Sequence, residues 1–379
     1  MMVYDHIPSP CFVIEENLLR QNLARIDEVQ QAAGVNIILA FKGFAMWKVF
    51  PIIREYLPGA TASSINEARL CMEEMGVKAH SYAPVYRWEE FDELLSMSSH
   101  LTFNSLSQYE RFWPKVQAHL GQVSIGLRVN PEYSEVETDL YNPCAPGSRL
   151  GITAEQLAGG LPQGVEGLHF HTLCESDSYA LEKTLIAFEE RFGHLLPSLK
   201  WVNMGGGHLM TREGYDILHL IQLLQDFKKR YEVEIILEPG SAIAWETGFL
   251  LSTIMDIVEN KGIKTAIVDV SFTAHMPDTL EMPYRPTIRR ASEEHKEGQH
   301  LYRIGGTSCL AGDFMEEYRF DEPLYVGQRL IFEDMIHYTM VKTTMFNGVT
   351  HPSIGMLKPY GDFELFRQFG YDDFKNRLS

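Results

Sequence analysis

Lys42 closes a short apolar run, Asn36-Ile37-Ile38-Leu39-Ala40-Phe41-Lys42. An ammonium at the end of a buried strand is costly to desolvate, so an amine there tends toward a lowered pKa or a covalent partner. That is the state that Schiff-base chemistry with a carbonyl cofactor needs. Taken alone, the same lysine also reads as the place where a strand simply enters solvent. Four further groupings could join it. Gly205-Gly206-Gly207 follows the run Trp201-Val202-Asn203-Met204 and precedes a predicted helix. Free of Cβ atoms, it would let backbone amides approach an anion such as phosphate at the helix N-terminus; a plain tight turn is the alternative. Glu238-Pro239-Gly240 ends another apolar run. A carboxylate there could hold a pyridine nitrogen protonated, or merely cap a turn. In Leu168-His169-Phe170-His171-Thr172 the two histidines share one strand face. They could ligate zinc in a metal-dependent hydrolase, although no completing ligands stand out, and His171 stacking on a planar ring fits better. Last, Gly306–Asp313 presents Cys309 and Asp313 four residues apart on a glycine-rich loop. That pair suits a proton donor and a cation-binding carboxylate, while free cysteines are commonly inert core residues.

Chemistry at these points requires elements that hold them. Strand patterns appear at Asn36–Phe41, Gly59–Ser63, Ala79–Ala83, His100–Asn104, Val123–Val129, Gly164–Thr172, Leu199–Met204 and Glu232–Glu238. Helix signals lie between them. Ser64-Ile65-Asn66-Glu67, Ser107-Gln108-Tyr109-Glu110 and Thr153-Ala154-Glu155-Gln156 read as capping boxes, the first opening a helix that runs to Gly76. Ile217, Leu218, Ile221, Leu224 and Phe227 recur at helical spacing. Eight such alternations predict an α/β chain with a (β/α)8 barrel, whose chemistry sits at the C-terminal strand ends. Those ends carry Lys42, Ser63, Asn104, Arg128, His171, Gly205 and Glu238. After residue 248, short alternating runs punctuated by Gly and Pro predict a β-rich, β-barrel-like domain, with strands at Thr265–Val270, Leu301–Ile304, Arg329–Phe332 and Tyr338–Met345. The expected organisation is a barrel over 15–247 and a β-rich domain over 248–379, joined by an N-terminal strand within 1–14.

Composition narrows the class. A chain of 379 residues, 45% apolar and 11% aromatic, suits one large globular domain and a second smaller one. A formal net charge of −18 argues against nucleic acid or an anionic membrane surface as partner. The five cysteines are scattered without C-x-x-C spacing, as expected for reduced thiols in a cytoplasm. The opening residues show no signal-peptide pattern, and no apolar run reaches the roughly 18 residues of a membrane span.

In this order, the motifs resemble the fold type III (alanine-racemase-like) pyridoxal-phosphate decarboxylases over essentially the whole chain. The resemblance implies pyridoxal 5'-phosphate as cofactor, Lys42 as Schiff-base lysine, His171 on the ring face and Gly205-Gly206-Gly207 at the phosphate. It further implies Glu238 at the ring nitrogen, and Tyr338, ahead of Phe346-Asn347-Gly348, near the phosphate. Arg128 would act near the cofactor's phenolic oxygen. Cys309 would be lent to the partner's site in a homodimer and would protonate Cα. Departures narrow the subfamily. Leu310 stands where ornithine-type enzymes carry Asp, and Ser241 where they carry Arg. The segment His275–Pro286, with Leu310-Ala311-Gly312-Asp313, is similar to carboxynorspermidine/carboxyspermidine decarboxylases. This implies a small cationic polyamine substrate, with Asp278 and Asp313 pairing with its distal ammonium groups. The alternatives are decarboxylation of diaminopimelate, ornithine or arginine, a racemase of the same fold, a non-catalytic relative, and the zinc hydrolase built on His169 and His171. The racemase would need a tyrosine near Cys309, and none occurs between Tyr302 and Tyr318.

Overall fold

The structure, a computed structural model, describes residues 4–281, 284–292 and 296–379. It divides into two compact units, Gln21–Ile243 and Met1–Arg20 with Ala244–Ser379.

The strands, in chain order, begin with β1 (Cys11–Glu15), β2 (Asn36–Ile37), β3 (Leu39–Ala40), β4 (Ala60–Ala62), β5 (Ala79–Tyr82) and β6 (Ser98–Phe103). They continue with β7 (Ser124–Arg128), β8 (Val165–His169), β9 (Trp201–Asn203) and β10 (Glu234–Leu237). The central unit is a parallel sheet in the order β2-β10-β9-β8-β7-β6-β5-β4-β3. Its two ends, β2 and β3, are halves of the single segment Asn36–Ala40, and Ile38 N–H donates to the Leu237 carbonyl at 2.9 Å. The sheet therefore closes into a ring of eight strand positions, the (β/α)8 barrel expected from the alternation. Each of the eight strand expectations for the barrel falls on an observed strand; most ends shorten by one to three residues, because pairing stops where the chain turns toward a helix, while β6 starts two residues earlier than expected.

The barrel floor is filled from its own strands. The Trp201 indole lies where a Cβ on Gly126 or Gly167 would sit, so the two neighbouring strands carry no side chain there. Its Nε1–H donates to Ser124 Oγ at 2.8 Å. His80 and His100, paired across β5 and β6, stack with centroids 3.9 Å apart. Phe170, Phe188 and Phe227, from the β8 end and the helices Ser178–Phe192 and Ile217–Tyr231, pack with centroids 4.7 Å and 6.4 Å apart.

Capping follows side-chain chemistry with two corrections. Ser64 caps its helix, and Gly76, in the left-handed region, ends it after a short π-turn, as the sequence implies. The next cap is Ser105, not Ser107. Ser105 Oγ accepts from Gln108 N–H, while Gln108 Oε1 takes the Asn104 amide at the strand end, so the reciprocal pair sits two residues earlier. Thr153–Gln156 opens only a single 3-10 turn, Glu155–Leu157.

The second unit carries β1 and β11 (Gly248–Asn260), β12 (Ile263–Val268), β13 (Ala291–Ser292), β14 (His300–Gly305), β15 (Phe314–Phe320), β16 (Arg329–Glu333), β17 (Ser353–Leu357) and β18 (Phe363–Arg367). The order is β13-β15-β14-β12-β11-β1-β17-β18, with β16 also on β11. Strand β11 has 13 residues and bulges between Ile254 and Asp256. Its first half pairs with β1 and β16 and its second half with β12. Ile7, Cys11, Val13, Phe249, Leu251 and Ile331 form its core. The expected strand Tyr338–Met345 is absent: Tyr338 has φ of 36° and Met340–Lys342 is a 3-10 turn.

Candidate active site

Lys42 follows β3. Phe41 before it is buried and stacks on Phe50 at 5.1 Å and 1°, and the amides of Gly43 and Phe44 both donate to the Ala40 carbonyl. The strand end is thus pinned from both sides, and the lysine emerges in the mouth of the barrel. Its side chain stays open to solvent while protein surrounds it, and this crowding, with Arg128 nearby, lowers its pKa against the opposing pull of Glu238. Its Nζ lies 3.1 Å from His171 Nε2. Gly206 N–H donates to His171 Nδ1 at 3.0 Å, so a neutral His171 carries its proton on Nε2. The contact then sets Nε2–H beside an amine whose pKa is lowered. Burial, then Lys42, then Arg128 push His171 well below the usual histidine range, in keeping with that assignment. An uncharged lysine amine is a nucleophile toward a carbonyl.

Glu238 ends β10. Asn203, on β9, donates Nδ2–H to Glu238 Oε1 at 2.5 Å and accepts the Gly205 amide on Oδ1 at 2.9 Å. Burial raises the Glu238 pKa, while Asn203, Lys42 and Arg128 oppose that rise. His169 Nε2 lies 3.9 Å from Glu238 Oε2. Arg128, buried on β7, donates to the His171 carbonyl at 3.3 Å and sits over the Tyr82 ring at 4.8 Å. Tyr82 O–H donates to Asn104 Oδ1 at 2.8 Å.

The glycine run is shaped by close approach. Gly205 and Gly207 have φ of 68° and 88°, and a Cβ on Gly206 would overlap the Glu238 carbonyl oxygen. The expectation that it stands at a helix N-terminus is not met, because the next helix begins only at Ile217. Nor are all three amides available. Gly205 N–H is held by Asn203 and Gly206 N–H by His171, leaving the Gly207 amide without an acceptor among the described residues.

The other candidates belong to the second unit. Cys309 is exposed, on the loop between β14 and β15, and its amide donates to Asn347 Oδ1 at 2.8 Å. Asp313 is buried and accepts from the amides of Thr273 (3.1 Å) and Ser308 (3.0 Å). It organises the loop from inside. Asp278 Oδ2 accepts from Thr339 Oγ1–H at 3.0 Å, next to Tyr338, while its buried Oδ1 has no hydrogen-bond partner. Of the segment His275–Pro286, Met282 and Pro283 lie outside the described residues.

Against this geometry stand the known proteins. A family model described as "Pyridoxal-dependent decarboxylase, C-terminal sheet domain" matches residues 1–336. The chain belongs to the pyridoxal-dependent decarboxylases. Carboxyaminopropylagmatine decarboxylase of Synechocystis sp. is 56% identical, covering 98% of this chain and 96% of that one. Carboxynorspermidine/carboxyspermidine decarboxylase of Campylobacter jejuni is 41% identical over 99% and 100%. The crystal structure of carboxynorspermidine decarboxylase complexed with norspermidine, from the same species, superposes with a TM-score of 0.92 at 40% identity, covering 98% of this chain and all of that one.

This pyridoxal-dependent decarboxylase is a carboxy-lyase, and its cofactor is pyridoxal phosphate. The mouth fits that group: an amine of lowered pKa for its carbonyl, a largely buried carboxylate for its ring nitrogen, and a cradle that a Cβ would fill. The zinc reading is not supported. His171 Nδ1 already accepts an N–H and its Nε2 faces an amine, and no cluster of three metal-ligating side chains exists among the described residues. No helix is long and apolar enough to cross a membrane among the residues described. Asn203 and Tyr82 were missed at the sequence level. Asn203 did leave a signal, as a polar residue inside the apolar run Trp201–Met204 two positions before the glycines.

Proposed function

We propose that the chain decarboxylates a carboxylated polyamine of the carboxynorspermidine/carboxyspermidine type, releasing CO2 and the corresponding polyamine. The observation that carries this is the Lys42–His171–Gly206 chain of contacts, which presents an amine of lowered pKa near the Glu238 carboxylate in a chain 41% identical, end to end, to such an enzyme. When bound, pyridoxal phosphate supplies a carbonyl that condenses with amines and a conjugated ring that accepts the electron pair left by CO2.

In this reading Lys42 would be the amine that holds the cofactor through its carbonyl, the group that would serve the substrate's α-amine. His171 packs on the ring face. Glu238, oriented by Asn203, pairs with the ring nitrogen. The Gly207 amide and Tyr338 meet the phosphate, with the Gly205 and Gly206 amides holding the cradle in shape. Arg128 works near the phenolic oxygen. Cys309 delivers a proton to Cα from the partner subunit of a homodimer, in a reducing, cytoplasmic compartment that suits five free thiols. Asp278, with its unpartnered Oδ1, pairs with a distal ammonium. Asp313 is reassigned from substrate binding to holding the Cys309 loop.

A second reading keeps the mechanism and changes the substrate's tail from an ammonium to a guanidinium. The 56% identity to a carboxyaminopropylagmatine decarboxylase favours it. The test is CO2 release by cofactor-loaded protein on carboxynorspermidine, carboxyspermidine, carboxyaminopropylagmatine, diaminopimelate, ornithine and arginine. Turnover confined to the first two supports the main reading, and preference for the third supports the second. Turnover of a plain amino acid alone overturns both.

A further inference from the structure

The mouth contains a second histidine that the mechanism leaves idle. His169, on β8, is 2% exposed, and neither ring nitrogen has a hydrogen-bond partner. A neutral imidazole always carries one N–H, and leaving it unpaired in the interior is costly. One acceptor stands near: Glu238 Oε2, 3.9 Å from Nε2. Glu238 Oε1 is already taken by Asn203. Oε2 is the oxygen open to further donors, and a carboxylate oxygen accepts more than one. The Tyr82 ring braces the imidazole edge-on, with centroids 5.3 Å apart at 78°. The groups around the pair are Lys42, Arg128, His80, His171 and Tyr82; burial first, then the charge of Arg128, pushes His169 well below the usual histidine range.

We infer that His169 is a positioning residue for Glu238, its Nε2–H donating to Oε2 so that two neutral donors, Asn203 and His169, clamp the carboxylate from both sides. Closing the remaining gap takes a ring tilt of about 1 Å to reach ordinary hydrogen-bond length. A neutral donor stabilises the anion without competing for its charge, so the carboxylate stays ionised beside the ring nitrogen. The inference rests on the assignment of Glu238 to that nitrogen only for its effect on the cofactor; the His169–Glu238 bond itself rests on the geometry.

Two measurements test it. In cofactor-free protein labelled with 15N-histidine, long-range 1H–15N correlation reads the tautomer of His169, assigned by the signal lost in His169→Gln. Protonation on Nε2 is expected; protonation on Nδ1, or an imidazolium at neutral pH, overturns the inference. In loaded protein, His169→Phe removes the donor from the charged form of Glu238. The acid limb of the cofactor's absorbance titration should then move up by about one pH unit, with kcat down about tenfold and KM within about twofold. His169→Gln, which keeps an N–H donor, should return the limb toward its parent position; failure of this rescue beside a shifted Phe variant overturns the donor role. An Nε2–H tautomer with an unmoved titration leaves the His169–Glu238 bond standing and overturns the pairing of Glu238 with the ring nitrogen.

Discussion

The two units hold their candidate groups by opposite means. In the barrel, Glu238, Asn203 and Arg128 sit at or just past strand ends; Asn203 and Arg128 are buried, the Glu238 carboxylate is held by the Asn203 side chain, and Arg128 is held by the His171 carbonyl. In the sheet unit, Cys309 rides on an exposed loop, and what is fixed is the backbone beneath it: Asp313 and Asn347 take the amides of Ser308 and Cys309. The barrel therefore supplies preorganised electrostatics in a crowded interior, where a donor placed in advance needs no reorganisation. In the proposed reading the loop would supply a reactive atom that meets its target elsewhere, which suits an exposed side chain on an ordered backbone.

That contrast can be broken at several points. Lys42→Ala in cofactor-loaded protein should lower kcat at least about 1000-fold, measured as CO2 release without added amines. Activity near the parent level would remove the barrel from the chemistry. Cys309→Ala should lower kcat about 100-fold with KM nearly unchanged, since a proton donor acts after the substrate is bound; a change in KM alone would instead make the loop a binding element. Asn203→Ala should cost about tenfold to 100-fold, because it leaves a buried carboxylate oxygen unpaired at about 1–3 kcal/mol and releases the Gly205 amide. Asp313→Ala should leave the barrel amides as protected as before while speeding hydrogen exchange at Ser308 and Thr273, sharpening the view that loop order and barrel order are separate.

The smallest effect expected is on stability. Lys42 has its folded pKa lowered from 10.5, so the unfolded chain binds more protons and stability rises with pH up to about that value. Lys42→Met, in cofactor-free protein, should raise Tm at neutral pH, and the gain should shrink as pH approaches 10.5. A gain independent of pH would mean that lost entropy of the lysine chain, not its charge, is the cause.

Much of the barrel was legible because a closed parallel sheet writes itself as evenly spaced apolar runs, and the runs ending at Phe41 and Leu237 needed only their lengths to be read. Lys42, His171, Gly205 to Gly207 and Glu238 were legible as types at strand ends. The sheet unit was harder. Tyr338–Met345 alternates like a strand, yet Tyr338 turns into the left-handed region and Thr339 bonds to Asp278, an interaction 61 residues away in sequence. The cap expected at Ser107 stands at Ser105, where Gln108 both donates its amide to Ser105 Oγ and accepts the Asn104 amide on Oε1.

The eight strand positions of the barrel and the chemical types at their ends follow from hydrophobic period and backbone freedom, which are local properties of the chain. Only the tertiary structure decided which amides serve the cradle and which are held internally, that Asp313 supports a loop, and that His169 faces Glu238. Those outcomes depend on distances between residues far apart in the chain, and a hydrogen bond requires partners within about 3 Å.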